Sequence, residues 1–187
     1  IDGLQKRSVL WDIGANVGLY SCYAAKKSNC EVFAFEPSVF NLELLARNIH
    51  NNDLSNQVTI IPLPLSESIF NSTLNMTSTS WGGALSTFGA DYGQDGKKLK
   101  KIFEFKTVSL SMSDSINFLK IPQPDYIKMD VDGIEHLILK GGLEVLRNVK
   151  EILVEIDESF NKQFVDSSSY LESAGFMLKS KVNADIT

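Results

Sequence analysis

The chain reads as an α/β fold: a doubly wound, mainly parallel sheet with helices on both faces, three layers in all. Three observations predict it. Short, unalternating apolar runs such as Val9-Leu10-Trp11 and Ile152-Leu153-Val154 recur between segments of helical periodicity, as expected of strands buried on both faces of a parallel sheet. The first run passes through Asp12-Ile13-Gly14-Ala15-Asn16-Val17-Gly18, a glycine turn that leads into a helix. Asp12, Glu36 and Asp130 each close a predicted strand, which gathers acids at the carboxyl edge of the sheet, where open α/β sheets hold their ligands.

In chain order, residues 8–13 are predicted as a buried strand and 17–27 as a helix carrying Leu19, Tyr20, Tyr23 and Ala24. Residues 31–36 form the second strand. Ser38 can cap a helix that runs to about Asn51, with Val39, Leu42, Ala46 and Ile49 at helical spacing. Residues 58–65 are a third apolar run; Pro62 and Pro64 cannot donate to a sheet ladder, so this strand should end near Ile61. Residues 66–101 read as an inserted loop region, with a short strand at 72–76 and then a long aperiodic stretch of Ser, Thr, Gly, Asp and Lys. A stretch of that kind, when ordered, often forms a lid or binding loop. Residues 102–110 are expected as a strand with Phe103, Phe105 and Val108 as its apolar positions, and 114–119 as a short helix. The alternation resumes with a strand at 125–130 and a helix at 134–147, which Gly141-Gly142 can break in two. A strand at 152–156, a helix at 167–174 stopped by Gly175, and a last strand at 176–182 complete the prediction.

At 187 residues the chain has the length of one domain, 1–187. It opens on Ile1 and reaches strand residues by Val9, the pattern of an excerpt without its native N-terminus. Hydrophobic residues at 43% against 22% charged give a globular balance, and no apolar run reaches the roughly 18 residues of a membrane span. A net charge of −5 speaks against nucleic acid as a partner, since such binders carry a basic face. The basic run Lys97-Lys98-Leu99-Lys100-Lys101 reads as a solvated loop, with docking of an acidic or phosphorylated substrate as its alternative. Cys22 and Cys30 make no disulfide framework, and no Cys/His cluster has zinc spacing, so a reducing, cytoplasmic compartment is expected. Composition leaves the oligomeric state open.

Glu36 follows Gly14 by 22 residues at the end of the second strand, where a carboxylate can accept hydrogen bonds from a ribose. The glycine spacing narrows the choice of nucleotide. A dinucleotide site has G-x-G-x-x-G, whose second glycine lets backbone amides reach a pyrophosphate. Asn16 fills that slot here, and its side chain would crowd a pyrophosphate while leaving room for a smaller nucleoside. The second dense constellation is Lys128-Met129-Asp130-Val131-Asp132-Gly133-Ile134-Glu135-His136. Acids also favour helix N-termini by capping and by the helix dipole, so Asp132 and Glu135 have a structural reading beside a chemical one.

Four segments together resemble FkbM-type S-adenosylmethionine-dependent methyltransferases: Asp12-Ile13-Gly14-Ala15-Asn16-Val17-Gly18, Phe33-Ala34-Phe35-Glu36-Pro37, the run from Ile127 to Glu135, and Ile152-Leu153-Val154-Glu155-Ile156. The similarity extends from about Val9 to Glu158 and takes in Leu63-Pro64-Leu65-Ser66, Trp81-Gly82-Gly83 and Leu139-Lys140-Gly141. Asp132 departs from the family, which commonly has Glu there, and the family usually continues into an antiparallel strand pair that this excerpt would lack in part. The resemblance implies the Rossmann-like class I methyltransferase fold. It also implies methyl transfer from S-adenosylmethionine, with S-adenosylhomocysteine as product, to a hydroxyl of a small molecule or saccharide. By the same resemblance Asp12, Gly14, Ala15, Asn16 and Gly18 would cradle the methionine portion, and Glu36, with Pro37 beside it, would hold the ribose. Pro64, Leu65 and Ser66 would lie near the adenine, and Asp130 near the sulfonium and the acceptor.

Methyl transfer is an in-line displacement for which the cofactor brings the reactive carbon, so the protein supplies positioning and a base for the hydroxyl proton. Asp130, Asp132 and His136 are the candidate catalytic residues. His136 has a near-neutral reference pKa, but it stands about 100° around a helix from Glu135, and its other reading is a solvated helix histidine. Oxygen ligands from Asp130, Asp132 and Glu135 would suit magnesium or calcium, yet no divalent metal is expected. His50 reads as a surface residue. Trp81 either closes over a ligand or anchors its loop in the core. Two other classes of function stand beside methyl transfer: a cofactor-binding module without catalysis, and a nicotinamide oxidoreductase, against which Asn16 counts.

Overall fold

The computed structural model describes residues 3–182. Its elements run in the order β1 (Val9–Ile13), α1 (Leu19–Ser28), β2 (Glu31–Phe35), α2 (Val39–Asn51), β3 (Val58–Ile61), β4 (Asn71–Met76), β5 (Thr87–Phe88), β6 (Phe103–Val108), α3 (Met112–Asn117), β7 (Tyr126–Met129), α4 (Glu135–Lys140), α5 (Leu143–Leu146), β8 (Glu151–Val154) and α6 (Asn161–Ser173). Five strands form a wholly parallel sheet in the order β3-β2-β1-β7-β8. The chain steps outward from β1 to β3 and returns on the other side of β1 at β7, so the winding reverses between β1 and β7. Ile13 stands opposite both Phe35 and Met129, and Gly14, Glu36 and Asp130 therefore leave the sheet side by side.

The two faces of the sheet have separate cores. Leu10, Val32, Ala34 and Val58 pack under α1 and α2, while Trp11, Ile13, Phe35 and Met129 pack against α3, α4, α5 and β4 on the other face. Trp11 and Phe35 are fully buried with ring centroids 5.2 Å apart, and burial of each ring contributes about 2–3 kcal/mol. This is the predicted three-layer arrangement. Among the described residues no helix is long and apolar enough to cross a membrane.

Several details differ from the sequence prediction. α1 turns Ser21, Ala24, Ala25 and Ser28 inward, and Leu19, Tyr20 and Tyr23 stay exposed. In α2 Ser38 caps the first turn as expected, accepting from the Asn41 N–H, and Ile49 is buried as expected, but Asn41 and Leu45 complete the buried stripe. Val39 and Ala46 point to solvent instead. Residues 66–101 contribute β4 and β5 to a second, antiparallel sheet of order β5-β4-β6, in which β4 pairs with β6 from Asn71 opposite Val108 to Met76 opposite Phe103. Phe103 and Val108 are about two-fifths exposed, and of the three apolar positions expected in β6 Phe105 is the one packed against the core. α3 begins earlier than predicted, at Met112, because Ser111 and Asp114 form a reciprocal capping box.

Gly141 and Gly142 do split the helix into α4 and α5. A Cβ at Gly141 would stand 2.7 Å from the carbonyl oxygens of Ser66 and Glu67, so the backbones meet where only glycine fits. β8 lies at the sheet edge and is half-buried, with Leu153 exposed, where the apolar run suggested burial on both faces. α6 starts at Asn161, well before the expected residue 167. Residues 176–182, expected as a strand, pair with no strand among the described residues, and Met177 is 91% exposed. An apolar sequence forms a strand only where another strand offers its N–H and C=O groups.

Candidate active site

A cavity of about 330 Å³ opens at the carboxyl edge of the parallel sheet, over the β1/β7 reversal. Its size suits a small-molecule site at such a switch point. Gly14, Ala15 and Asn16 line it from the turn after β1, Glu36 and Pro37 from the end of β2, and Pro64 and Leu65 from the segment after β3. Asp130 and Asp132 line it from the end of β7. The opposite wall is a strap, residues 82–86, from the region expected as an insertion. Gly14 has φ +78°, and a Cβ on it would stand 1.8 Å from the Asp130 carbonyl oxygen, so the turns after β1 and β7 touch backbone to backbone.

Four of the predicted site residues lie off this wall. Asp12 is fully buried behind the turn, where Oδ2 accepts from Ser21 Oγ at 2.6 Å. Gly18 caps α1 in the left-handed region, with Leu45 packed where a Cβ would be. Ser66 is buried and its N–H donates to Leu110 O. His136 is 1% exposed, neither ring nitrogen has a hydrogen-bond partner, and its ring meets Phe160 edge-on. It is therefore no solvated histidine, and burial lowers its pKa. Trp81 is 64% exposed, so it does not anchor its loop in the core.

The acids are held in different ways. Glu36 is nearly fully buried; Oε2 accepts from the Asn16 N–H at 2.7 Å and Oε1 from the Ser38 N–H at 2.8 Å. Burial pushes its pKa up to about 7, against the opposing pull of those N–H donors. Asp132 has φ +62°, and its Oδ2 accepts from the N–H groups of Leu85 (2.7 Å) and Ser86 (3.2 Å), fastening the strap. Burial first, and then the neighbouring Asp130, raise its pKa to about 6. Glu135 is buried beneath the turn; it accepts from the N–H groups of Val131 and Gly133 and from Gln163 Nε2, and burial raises it to about 7. With its oxygens committed to that turn, Glu135 does not join Asp130 and Asp132 around a cation. Among the described residues no group of three His, Cys, Asp or Glu is placed to hold a metal.

Two contributors had no role assigned from the sequence. Lys128 is nearly fully buried; Nζ donates to the Gly14 carbonyl at 2.8 Å and lies 3.5 Å from Asp12 and 3.6 Å from Asp130. It ties the glycine turn to both strand-end acids. A lysine inside the apolar run Tyr126-Ile127-Lys128-Met129 was the available signal, since a buried cation needs partners. Asn41, buried on α2, bonds to Gly82 and Gly83 across the cavity. No periodicity marks it, because apolar spacing ignores a buried asparagine.

A parallel sheet in this order, with a glycine turn at the reversal and an acid closing β2, is the Rossmann-like fold of class I methyltransferases. Solved structures share it. The FkbM methyltransferase of Methylobacillus flagellatus KT superposes with a TM-score of 0.63 at 18% identity, covering 91% of this chain and 38% of that one. The precorrin-6y C5,15-methyltransferase of Geobacter metallireducens GS-15 gives 0.55 at 16% identity, covering 94% and 65%. The chain belongs to the FkbM methyltransferase family: residues 12–178 match the Methyltransferase FkbM domain. It is 31% identical over 157 residues to the hexuronic acid methyltransferase AglP of Haloferax volcanii, covering 83% of this chain and 59% of that protein. It is also 29% identical over 174 residues to methyltransferase sdnD of Sordaria araneosa, covering 80% and 67%. The chain thus spans about three-fifths of the length of AglP.

Proposed function

We propose that the chain is an S-adenosylmethionine-dependent O-methyltransferase acting on a hydroxyl of a small molecule or saccharide. The observation that carries this reading is Glu36, a buried carboxyl at the cavity wall beside the left-handed Gly14 turn. The residues present fit the cofactor that the fold implies. Asn16 Oδ1 is buried at the wall without a donor, Gly14 exposes its backbone, and Glu36 is an acceptor for ribose hydroxyls. A saccharide acceptor draws support from AglP, whose own substrate class is hexuronic acid. The relatives named above are methyltransferases, so the nicotinamide reading finds no support in them.

Bound there, S-adenosylmethionine supplies an electrophilic methyl group. Glu36 fixes the ribose end, while Lys128 fixes the Gly14 carbonyl and the acids on either side of it. Asp130, partly exposed at the wall, offers negative charge where a sulfonium is to be held. Asp132 takes the hydroxyl proton: it lines the cavity, its pKa stands at about 6, and the strap engages Oδ2. That pKa suits a base working near neutral pH. His136 has no part in this proposal, because it does not reach the cavity. A cytoplasmic compartment remains part of the proposal, on the ground of the two free thiols Cys22 and Cys30.

The test is calorimetric titration with S-adenosylhomocysteine of the wild type and Glu36→Ala, with NAD as control. Micromolar binding that weakens tenfold or more in the variant, about 1.4 kcal/mol, is the expected result. Binding of NAD with no affinity for S-adenosylhomocysteine would overturn the proposal.

A further inference from the structure

α2 turns Asn41, Leu45 and Asn48 toward the glycine turn and the strap, and of these three Asn41 lines the cavity. Leu45 packs against Gly18, and Asn48 Nδ2 donates to the Val17 carbonyl at 2.8 Å, so both brace the glycine turn. Asn41 reaches the other way. Its Oδ1 accepts from the Gly82 N–H at 3.0 Å and its Nδ2 donates to the Gly83 carbonyl at 3.0 Å. The Asn41 backbone N–H donates to Ser38 Oγ at 3.4 Å, and the Ser38 N–H donates to Glu36 Oε1 at 2.8 Å, so the first turn of α2 also carries the Glu36 carboxyl. Asn41 is 3% exposed, and a buried amide is retained at such a place only if its polar atoms are satisfied. Here both are satisfied by the strap, which faces Glu36 across the cavity. The strap has no aromatic anchor at this end, because the Trp81 ring stands in solvent. At its other end Asp132 holds Leu85 and Ser86.

We propose that Asn41 is a positioning residue that couples the cofactor half of the site to the opposite wall. Through one buried amide it pins Gly82 and Gly83 to the first turn of α2, whose Ser38 cap holds the Glu36 carboxyl. This rests on the reading of Glu36 as the ribose acceptor. The coupling is reciprocal by necessity: if the pinned strap favours cofactor binding, the bound cofactor must stabilise the pinned strap by the same factor.

The experiment is hydrogen exchange of the backbone at residues 78–88, with and without S-adenosylhomocysteine, alongside calorimetric affinities, for wild type, Asn41→Ala and Asn41→Asp. In the wild type S-adenosylhomocysteine should slow exchange at the strap. In Asn41→Ala the strap should exchange faster, the ligand should no longer protect it, and affinity should fall about five- to tenfold, as loss of two hydrogen bonds predicts. The pH midpoint of binding should also move up, because Asn41 helps to hold the Glu36 pKa down against burial; a purely structural role would not shift it. Asn41→Asp keeps the acceptor for Gly82 but not the donor for Gly83, and it carries the test if the alanine variant does not fold. Its strap exchange should be intermediate, with affinity lowered at least as far as in Asn41→Ala. Faster strap exchange with affinity within twofold of wild type would overturn the coupling, as would unchanged exchange. A wild type that does not bind S-adenosylhomocysteine would instead sink the cofactor reading itself, a distinct result.

Discussion

Gly14→Ala puts a methyl group where a backbone already stands. The new Cβ would lie 1.8 Å from the Asp130 carbonyl oxygen, whereas ordinary contact begins near 3.4 Å, so β1 or β7 must shift by about 1.5 Å. Gly18→Ala is the internal control. Its φ of +83° is close to the +78° of Gly14, but its Cβ would meet Leu45 Cδ1 at 2.4 Å, the far end of a side chain that can turn away. Left-handed backbone costs an alanine about 1–2 kcal/mol at either position. Overpacking against Leu45 adds about 1 kcal/mol at Gly18. At Gly14 the shift also disturbs the Asp130 N–H bond to Ile13 O (3.0 Å) and the Lys128 bond to Gly14 O (2.8 Å), each about 1–2 kcal/mol. The expected losses are about 2–3 kcal/mol for Gly18→Ala and about 4–6 kcal/mol for Gly14→Ala. The second figure approaches half of a typical total stability and should lower Tm by roughly 10–20 °C. Urea unfolding followed by circular dichroism measures both variants against wild type. If Gly14→Ala lies within about 1 kcal/mol of wild type, or costs less than Gly18→Ala, the backbone contact is not what holds this turn.

The remaining predictions concern the acids. Asp132→Asn keeps an oxygen for the Leu85 and Ser86 N–H groups but cannot take a proton, so kcat should fall by about 10²–10⁴ with Tm unchanged. Asp132→Ala loses the strap as well and should also raise KM for the acceptor; steady-state kinetics separates the two, and wild-type kcat in the asparagine variant would remove Asp132 from the reaction. Glu36 binds ribose hydroxyls best when ionised, and burial holds its pKa at about 7, so S-adenosylhomocysteine affinity should fall as pH drops through about 7, with a proton released on binding. Calorimetry in buffers of differing protonation enthalpy counts that proton. Affinity that stays flat between about pH 5.5 and about pH 8 would contradict the assignment.

Most of the frame was legible wherever the signal lay within one segment. Ser38 before a helical run, Pro62 and Pro64 after an apolar one, and Gly141-Gly142 inside a helix each act on their own neighbours. The glycine turn with Glu36 at the end of β2 was legible for the same reason, and both line the cavity. The misreadings share a cause too. The apolar stripes assigned to α1 and α2 held for Ala24 and Ile49 but also took in Leu19, Tyr20, Tyr23, Val39 and Ala46, which face solvent, because small or polar side chains such as Ser21 and Asn41 take the buried places close to the sheet and the glycine turn. Residues 176–182 carry strand-like apolar residues without a neighbouring strand among the described residues to pair with.

By itself, then, the sequence determined the alternation of elements, the direction of the sheet and the edge at which the cavity opens, since local periodicity and backbone chemistry settle these. Only the tertiary structure decided which groups face one another there. It paired β4 with β6, set Lys128 between Asp12 and Asp130, and turned His136 away from the cavity. It also brought Asn41 and Asp132 to opposite ends of a strap more than 40 residues away from either in the chain. Such contacts are made by buried polar groups whose partners lie far off along the chain, and they leave no repeating pattern in the sequence.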